Sequence, residues 1–128
     1  MSTCPTKING AFSWNELMTS DVEGAKAFYG ELLGWKMEDM PACEMGYSMA
    51  RSGEKEVAGI MATPPDNPMP PAWGAYITVD DVDARAAQAE ALGGRILLAP
   101  QDIPEVGRFV MIQDPQGAMV SLITYNKG

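Results

Sequence analysis

The constraint that most limits how this chain can fold is an internal repeat. A stretch of alternating residues beginning at Phe12 and Trp14 runs through Ser20-Asp21 into a helix-forming stretch, Val22 to Gly34, and the same order returns sixty positions later. Asp21, Val22, Ala27, Leu32 and Gly34 recur as Asp81, Val82, Ala87, Leu92 and Gly94. Alternation puts Phe12, Trp14, Glu16 and Met18 on one face of a strand and Ser13, Asn15, Leu17 and Thr19 on the other. Ser20 and Glu23 read as a capping box at the helix start. The helix carries an apolar stripe of Val22, Ala25, Phe28, Tyr29, Leu32 and Leu33, and Gly34 supplies a left-handed exit. Such a helix is expected to pack against a sheet.

Shorter strands follow at Trp35–Met40, Met45–Arg51 and Glu56–Met61, the last after a Ser52-Gly53-Glu54-Lys55 turn. Residues 62–71 then hold half of the ten prolines, which cannot supply ladder hydrogen bonds, and so read as a linker between two halves. In the second half Trp73–Asp80 is a strand. Asp80 or Asp81 caps a helix bearing Val82, Ala86, Ala89 and Leu92, which leaves through Gly93-Gly94. Arg95–Leu98 and Gly107–Gln113 are strands, Asp114-Pro115-Gln116-Gly117 fits a type I turn, and Ala118–Tyr125 closes the module. In the closing hairpins Met49, Ser52 and Ile60 match Met111, Asp114 and Leu122 at an offset of sixty-two. The chain is thus a tandem β-α-β-β-β repeat, module one at about 11–61 and module two at about 72–125, after a polar lead-in over residues 1–10.

At 128 residues the chain suffices for one domain with a core. A net charge of −8 disfavours nucleic acid and anionic membranes as partners, and is read as serving solubility. Cys4 and Cys43 have neither metal-type spacing nor a disulfide framework, and no apolar run reaches signal-peptide or membrane length, so a cytoplasmic protein is expected. The sequence contains no histidine. The commonest catalytic base and the commonest transition-metal ligand are therefore both missing.

Parsed in this way, the chain resembles the vicinal oxygen chelate superfamily of glyoxalase I, extradiol dioxygenases and bleomycin-resistance proteins. The resemblance rests on Trp14-Asn15-Glu16-Leu17-Met18-Thr19-Ser20-Asp21 and Phe28-Tyr29-Gly30-Glu31-Leu32-Leu33-Gly34-Trp35 in module one. In module two it rests on Val79-Asp80-Asp81-Val82-Asp83, Gly93-Gly94, Gly107-Arg108-Phe109 and Asp114-Pro115-Gln116-Gly117-Ala118. It implies an α+β fold in which two tandem β-α-β-β-β modules form a curved mixed sheet around a cavity, with the helices outside. It also implies pairing into a homodimer. In the family's metal-dependent members each module lends the site a residue from its first strand and one from its last. Here those positions hold Trp14, Gly59, Gly74 and Ser121, of which only the Ser hydroxyl is even a weak ligand. No metal or other cofactor is expected.

Residues in phase with the lost ligands should face the cavity. They are Phe12, Trp14, Glu16 and Met18; Val57, Gly59 and Met61; Gly74, Tyr76 and Thr78; and Met119, Ser121 and Ile123, joined from the middle strands by Tyr47, Met49, Phe109 and Met111. With glycines at two positions the centre should be hollow unless Trp14 fills it, and flat, polarizable walls suit a small hydrophobic or aromatic molecule. The plainer alternative is an ordinary filled core. Glu16 is the inward carboxylate of the central strands. Held among Trp14, Met18 and Tyr76 it would lose hydration and serve as a general base, with Tyr76 or Ser121 as hydrogen-bond donor, in a metal-free lyase or isomerase or one with a non-standard metal site. Alternatively Glu16 sits solvated at the rim or pairs with Arg51 or Arg108. The loop from Asp102 to Phe109, with Ile103, Glu105 and Arg108, is a candidate lid.

Overall fold

Each repeat hands a strand over to a helix through an aspartate, and the two handovers are built alike. The computed structural model describes residues 5–39, 47–63, 70–103 and 106–126. Its elements are β1 (Phe12–Thr19), α1 (Val22–Leu33), β2 (Lys36–Asp39), β3 (Ser48–Ser52), β4 (Lys55–Ala62), β5 (Ala72–Thr78), α2 (Val82–Ala91), β6 (Arg95–Ile103), β7 (Gly107–Gln113) and β8 (Met119–Tyr125). Among the described residues this is an α+β fold of two α-helices and eight strands in a mixed sheet.

The Asp21 carboxylate accepts the Gly24 N–H at 2.9 Å, and Asp81 accepts that of Ala84 at 3.3 Å. The first cap is therefore Asp21 and not Ser20. Thr19 Oγ1 accepts the Asp21 N–H at 3.2 Å, which turns the chain one residue later than the capping-box pattern implies. A Cβ on Gly24 would meet the Asp21 carboxylate as it lies here, and at the equivalent Ala84, which carries one, the bond is longer. At the far end Gly34 adopts φ 72° and donates its N–H to the Gly30 carbonyl at 3.0 Å.

The chain divides into two compact units, Asn15–Gly74 and the sequence on either side of it. The division falls inside β1 and β5, so the repeat in sequence and the unit in space are offset. Of the proline-rich stretch, residues 64–69 lie outside the described residues, as do Cys4, Cys43, Met45 and Glu105.

In the unit Asn15–Gly74 the strands run in the order β2-β3-β4-β1, with β1 parallel to β4 and the other pairs antiparallel. Leu17, Ala50, Ala58 and Ile60 are buried. The apolar stripe expected on α1 does not pack as a whole. No α1 residue is fully buried, and Phe28, Leu32 and Leu33 stand 59%, 62% and 50% exposed. The half-buried line runs instead through Val22, Ala25, Lys26, Tyr29 and Gly30, which is itself a helical spacing. Lys26 holds that line by pairing with Asp39 of β2 and with Glu23, each at 3.0 Å. Tyr29 packs on Trp35 and Trp73 and accepts the Trp73 indole N–H at 3.1 Å.

In the other unit the order is β5-β8-β7-β6, with β5 parallel to β8. Val79, Val82, Ala86 and Val110 form one core cluster, against which Ile96, Ile112 and Leu122 pack. Leu92, expected in the α2 stripe, is 69% exposed because the helix ends at Ala91. β6 extends to Ile103, well past the expected Leu98. Its register with β7 shifts between Leu98 and Gln101, around Pro100, which has no N–H to give to a ladder. Asp114 closes the β7–β8 turn, its carbonyl accepting the Gly117 N–H at 3.0 Å and its carboxylate those of Gln116 and Ala118. The end of the polar lead-in is docked through residues 9–11. Gly10 donates to Thr78 O, Thr78 donates to Ala11 O, and Asn9 Oδ1 accepts the Asp80 N–H.

Candidate functional site

Register decides which side chains share a face, because neighbouring residues across a ladder point the same way. In the unit Asn15–Gly74, Glu16 pairs with Gly59 and Gly59 with Met49, while Met18 pairs with Met61. Glu16, Gly59, Met49, Met18 and Met61 therefore lie on one face. Glu16 is only 5% exposed, so it is not the solvated rim carboxylate that the sequence left open. The two arginines weighed as its partners are engaged elsewhere. Arg51 pairs with Glu38 at 2.8 Å and Glu56 at 3.5 Å, and Arg108 with Asp83 and Asp102.

The two glycines expected to leave a hollow behave differently. A Cβ on Gly59 would collide with the Tyr47 hydroxyl and ring edge, so the Tyr47 phenol lies directly over Gly59, on the Glu16 face. A Cβ on Gly74 would meet nothing nearer than the Glu16 carbonyl oxygen at 3.9 Å. The expectation of open space is thus corrected at Gly59, while Gly74 is an exposed residue of β5.

The other unit builds a second face by the same rule. Tyr76 pairs with Ser121, and Ser121 with Met111; Thr78 pairs with Ile123, and Ile123 with Phe109. Tyr76, Phe109 and Ile123 are buried together, with the Tyr76 and Phe109 ring centroids 5.9 Å apart. Trp14 packs against this cluster alongside Leu98, Ile103 and Tyr125, so it belongs to the packing of this face. Phe12 and Met119 are 65% and 49% exposed. Glu16 and Tyr76, the pair singled out for proton transfer, belong to different units, each to its own face.

The four positions that the family resemblance assigns to metal ligands do not fit a divalent centre. Two are glycines, one covered by a phenol, and Trp14 packs on the cluster of Tyr76, Phe109 and Ile123. Ser121 is buried at 5% exposure between Tyr76 and Met111 in register. Among the described residues no group of three or more His, Cys, Asp or Glu converges.

The candidate lid is corrected as well. Ile103 and Gly107 pair across the β6–β7 turn, which the Val106 N–H closes on the Ile103 carbonyl at 3.0 Å. Arg108 grips the Asp83 carboxylate through Nε and Nη2 at 2.9 and 3.1 Å and reaches Asp102 at 3.1 Å. Those bonds hold Asp83 below the usual carboxylate range and raise Arg108, chiefly through Asp83. Around them lies an open concavity of about 340 Å³ lined by Asp80, Asp83, Asp102, Thr124 and Tyr125 among others. Sequence reading did not find it, because Asp83 and Arg108 are twenty-five residues apart and share no pattern.

With both faces placed, comparison with known proteins decides the family. The sequence profile of the glyoxalase/bleomycin resistance protein/dioxygenase superfamily matches residues 11–122. The chain belongs to this superfamily. It is 43% identical over 115 residues to CFP32 of Mycobacterium tuberculosis, a protein named provisionally as a glyoxylase; the match covers 89% of this chain and 44% of that one. It is 32% identical over 125 residues to the anthracycline biosynthesis protein DnrV of Streptomyces peucetius, covering 85% and 45%. The match thus spans less than half the length of these curated relatives. Methylmalonyl-CoA epimerase from Mycobacterium tuberculosis shares the fold with a TM-score of 0.61 at 15% identity, over 99% of this chain and 93% of that one.

Proposed function

We propose that this protein binds a small hydrophobic or aromatic molecule on the face that carries Glu16, and does so without the usual metal ligands of its superfamily. The observation that carries the reading is the composition of that face. A buried carboxylate stands beside a glycine, a phenol and the methionines Met18, Met49 and Met61, a polarizable surface with one polar group to orient a ligand. The likeness to an anthracycline biosynthesis protein supports an aromatic ligand. Thermal unfolding in the presence of planar aromatic acids, hydroxylated polycycles and 2-oxo compounds tests it. Saturable stabilisation by a member of the aromatic set is expected. Absence of stabilisation across the whole set overturns the reading, and a stoichiometric divalent ion in the purified protein overturns its metal-free part.

A second reading is favoured by the burial of Glu16 itself: a lyase or isomerase in which this carboxylate moves a proton, metal-free or with a non-standard site. The glyoxylase-type relative and the epimerase-like fold support it. Turnover that survives excess chelator and is lost in Glu16→Gln is the expected signature; equal rates for the two proteins remove it. We further infer a cytoplasmic homodimer. The exposed Phe28, Leu32 and Leu33 of α1 support self-association, and sedimentation at graded concentration measures it.

A further inference from the structure

The geometry points to Tyr47 as an internal occupant of the Glu16 face: its side chain stands where a ligand's phenolic ring binds, and a hydroxyarene must displace it. This rests on the reading that the face takes a small molecule, and it names the class of that molecule. Three observations carry it.

First, the Tyr47 ring edge and hydroxyl fill the space over Gly59 that any side chain at that position would take. A glycine is needed there to admit the ring. Second, Gly59 is the ladder partner of Glu16, so the phenol hydroxyl lies on the face, and beside the strand position, of a carboxylate that is 5% exposed. A flat ring ending in a hydroxyl, laid over a glycine whose β3 ladder partner is Met49, is what the protein itself uses to cover this ground. A free phenol presents the same ring and the same hydrogen-bonding group, and so matches the same surroundings. Third, Tyr47 precedes β3, whose ladder begins with Ser48 paired to Ile60, so its backbone lies outside the strand ladder. It is half-buried, not enclosed.

An internal occupant and a pocket wall predict opposite signs. Removing a wall removes ligand contacts and weakens binding. Removing an occupant raises the fraction of protein with the face open, and apparent affinity rises by the same factor. The experiment measures binding of 4-methylphenol, the free equivalent of a tyrosine side chain, and of toluene, which lacks the hydroxyl, to wild type, Tyr47→Ala and Glu16→Gln/Tyr47→Ala. The proposal expects at least about tenfold tighter binding of 4-methylphenol to Tyr47→Ala than to wild type. It also expects a preference over toluene that disappears in the double variant. Equal or weaker binding to Tyr47→Ala, with measurable binding to wild type, overturns the internal-occupant role and leaves small-molecule binding standing. No binding to either protein overturns both. Should Tyr47→Ala not fold, the wild type answers alone. Tyr47 ring resonances must move toward their solvent-exposed values as 4-methylphenol saturates the protein, and unchanged resonances overturn the proposal.

Discussion

The two modules descend from one pattern of elements yet use it to opposite ends. In the unit that holds α1, the face bearing Glu16 places a buried carboxylate, a glycine and a phenol together, and the helix buries none of its residues fully. In the unit that holds α2, the equivalent face is closed by Tyr76, Phe109 and Ile123 with Trp14 packed on them, and the helix buries Val82 and Ala86. The symmetric partner of polar Glu16 in the repeat is Tyr76, buried among rings. The two faces thus differ in make-up: one sets a buried carboxylate beside a glycine and a phenol, and the other is given to packed rings and Ile123. A duplicated fold gives this freedom, since one copy can hold stability while the other holds a polar group that a core would reject.

The largest expected effects come from the buried aliphatic residues. Ile60→Ala and Ile123→Ala should each lower stability by about 2–5 kcal/mol in urea denaturation, since both side chains are enclosed. A cost below about 1 kcal/mol for Ile60 alone would mean that the first module has no core of its own. Next comes the contrast between the glycines. Gly59→Ala should cost about 1–3 kcal/mol through collision with the Tyr47 ring, and adding Tyr47→Ala should recover much of it. Gly74→Ala, facing open space, should stay within about 0.5 kcal/mol. Additive losses in the double variant would remove Tyr47 from the space over Gly59.

Smaller still is the change at the outer side of α1. Leu32→Gln should alter monomer stability by no more than about 0.5 kcal/mol, whereas Val82→Ala on α2 should cost more. A large loss for Leu32→Gln that grows with protein concentration would show the residue covered in a dimer. The smallest effect is on acid stability. Asp83 is held below its ordinary value by hydrogen bonds from Arg108, and Asp39 by those from Lys26 and Ser48. A depressed carboxylate stabilises the fold above its unfolded pKa of 3.8, and that contribution is lost as pH falls below 3.8 through the folded value. Thermal melts from pH 5 down to pH 2 should therefore fall less steeply in Asp83→Asn and Asp39→Asn. Both groups are exposed, so the difference should shrink in high salt.

The order of elements, both helix exits, the closing turn at Asp114 and the sharing of faces were legible in the sequence, because each follows from local rules. Alternation sets the face of a strand residue, a glycine ends a helix, and Asp-Pro-Gln-Gly closes a turn whatever surrounds it. The helix stripe was less legible. Period alone did not separate Phe28, Leu32 and Leu33 from Val22, Ala25, Lys26 and Tyr29, and the ion pair from Lys26 to Asp39 on a different element belongs to the second line. The candidate site was read only in part. Which residues share a face came through, but Phe12 of that phase is exposed, and whether a glycine leaves a void depends on what another side chain lays across it.

By itself, then, the sequence determined a tandem β-α-β-β-β chain whose superfamily ligand positions hold Trp14, Gly59, Gly74 and Ser121, with Glu16 two residues beyond the first. Only the tertiary structure decided that Gly59 is covered by Tyr47 while Gly74 is open, that Trp14 joins the packing of the second face, and that Arg108 grips Asp83 and not Glu16. The physical reason is range. Backbone conformation and facing are fixed by neighbours along the chain, whereas the filling of space and the pairing of charge depend on side chains that meet only after the strands have found their register.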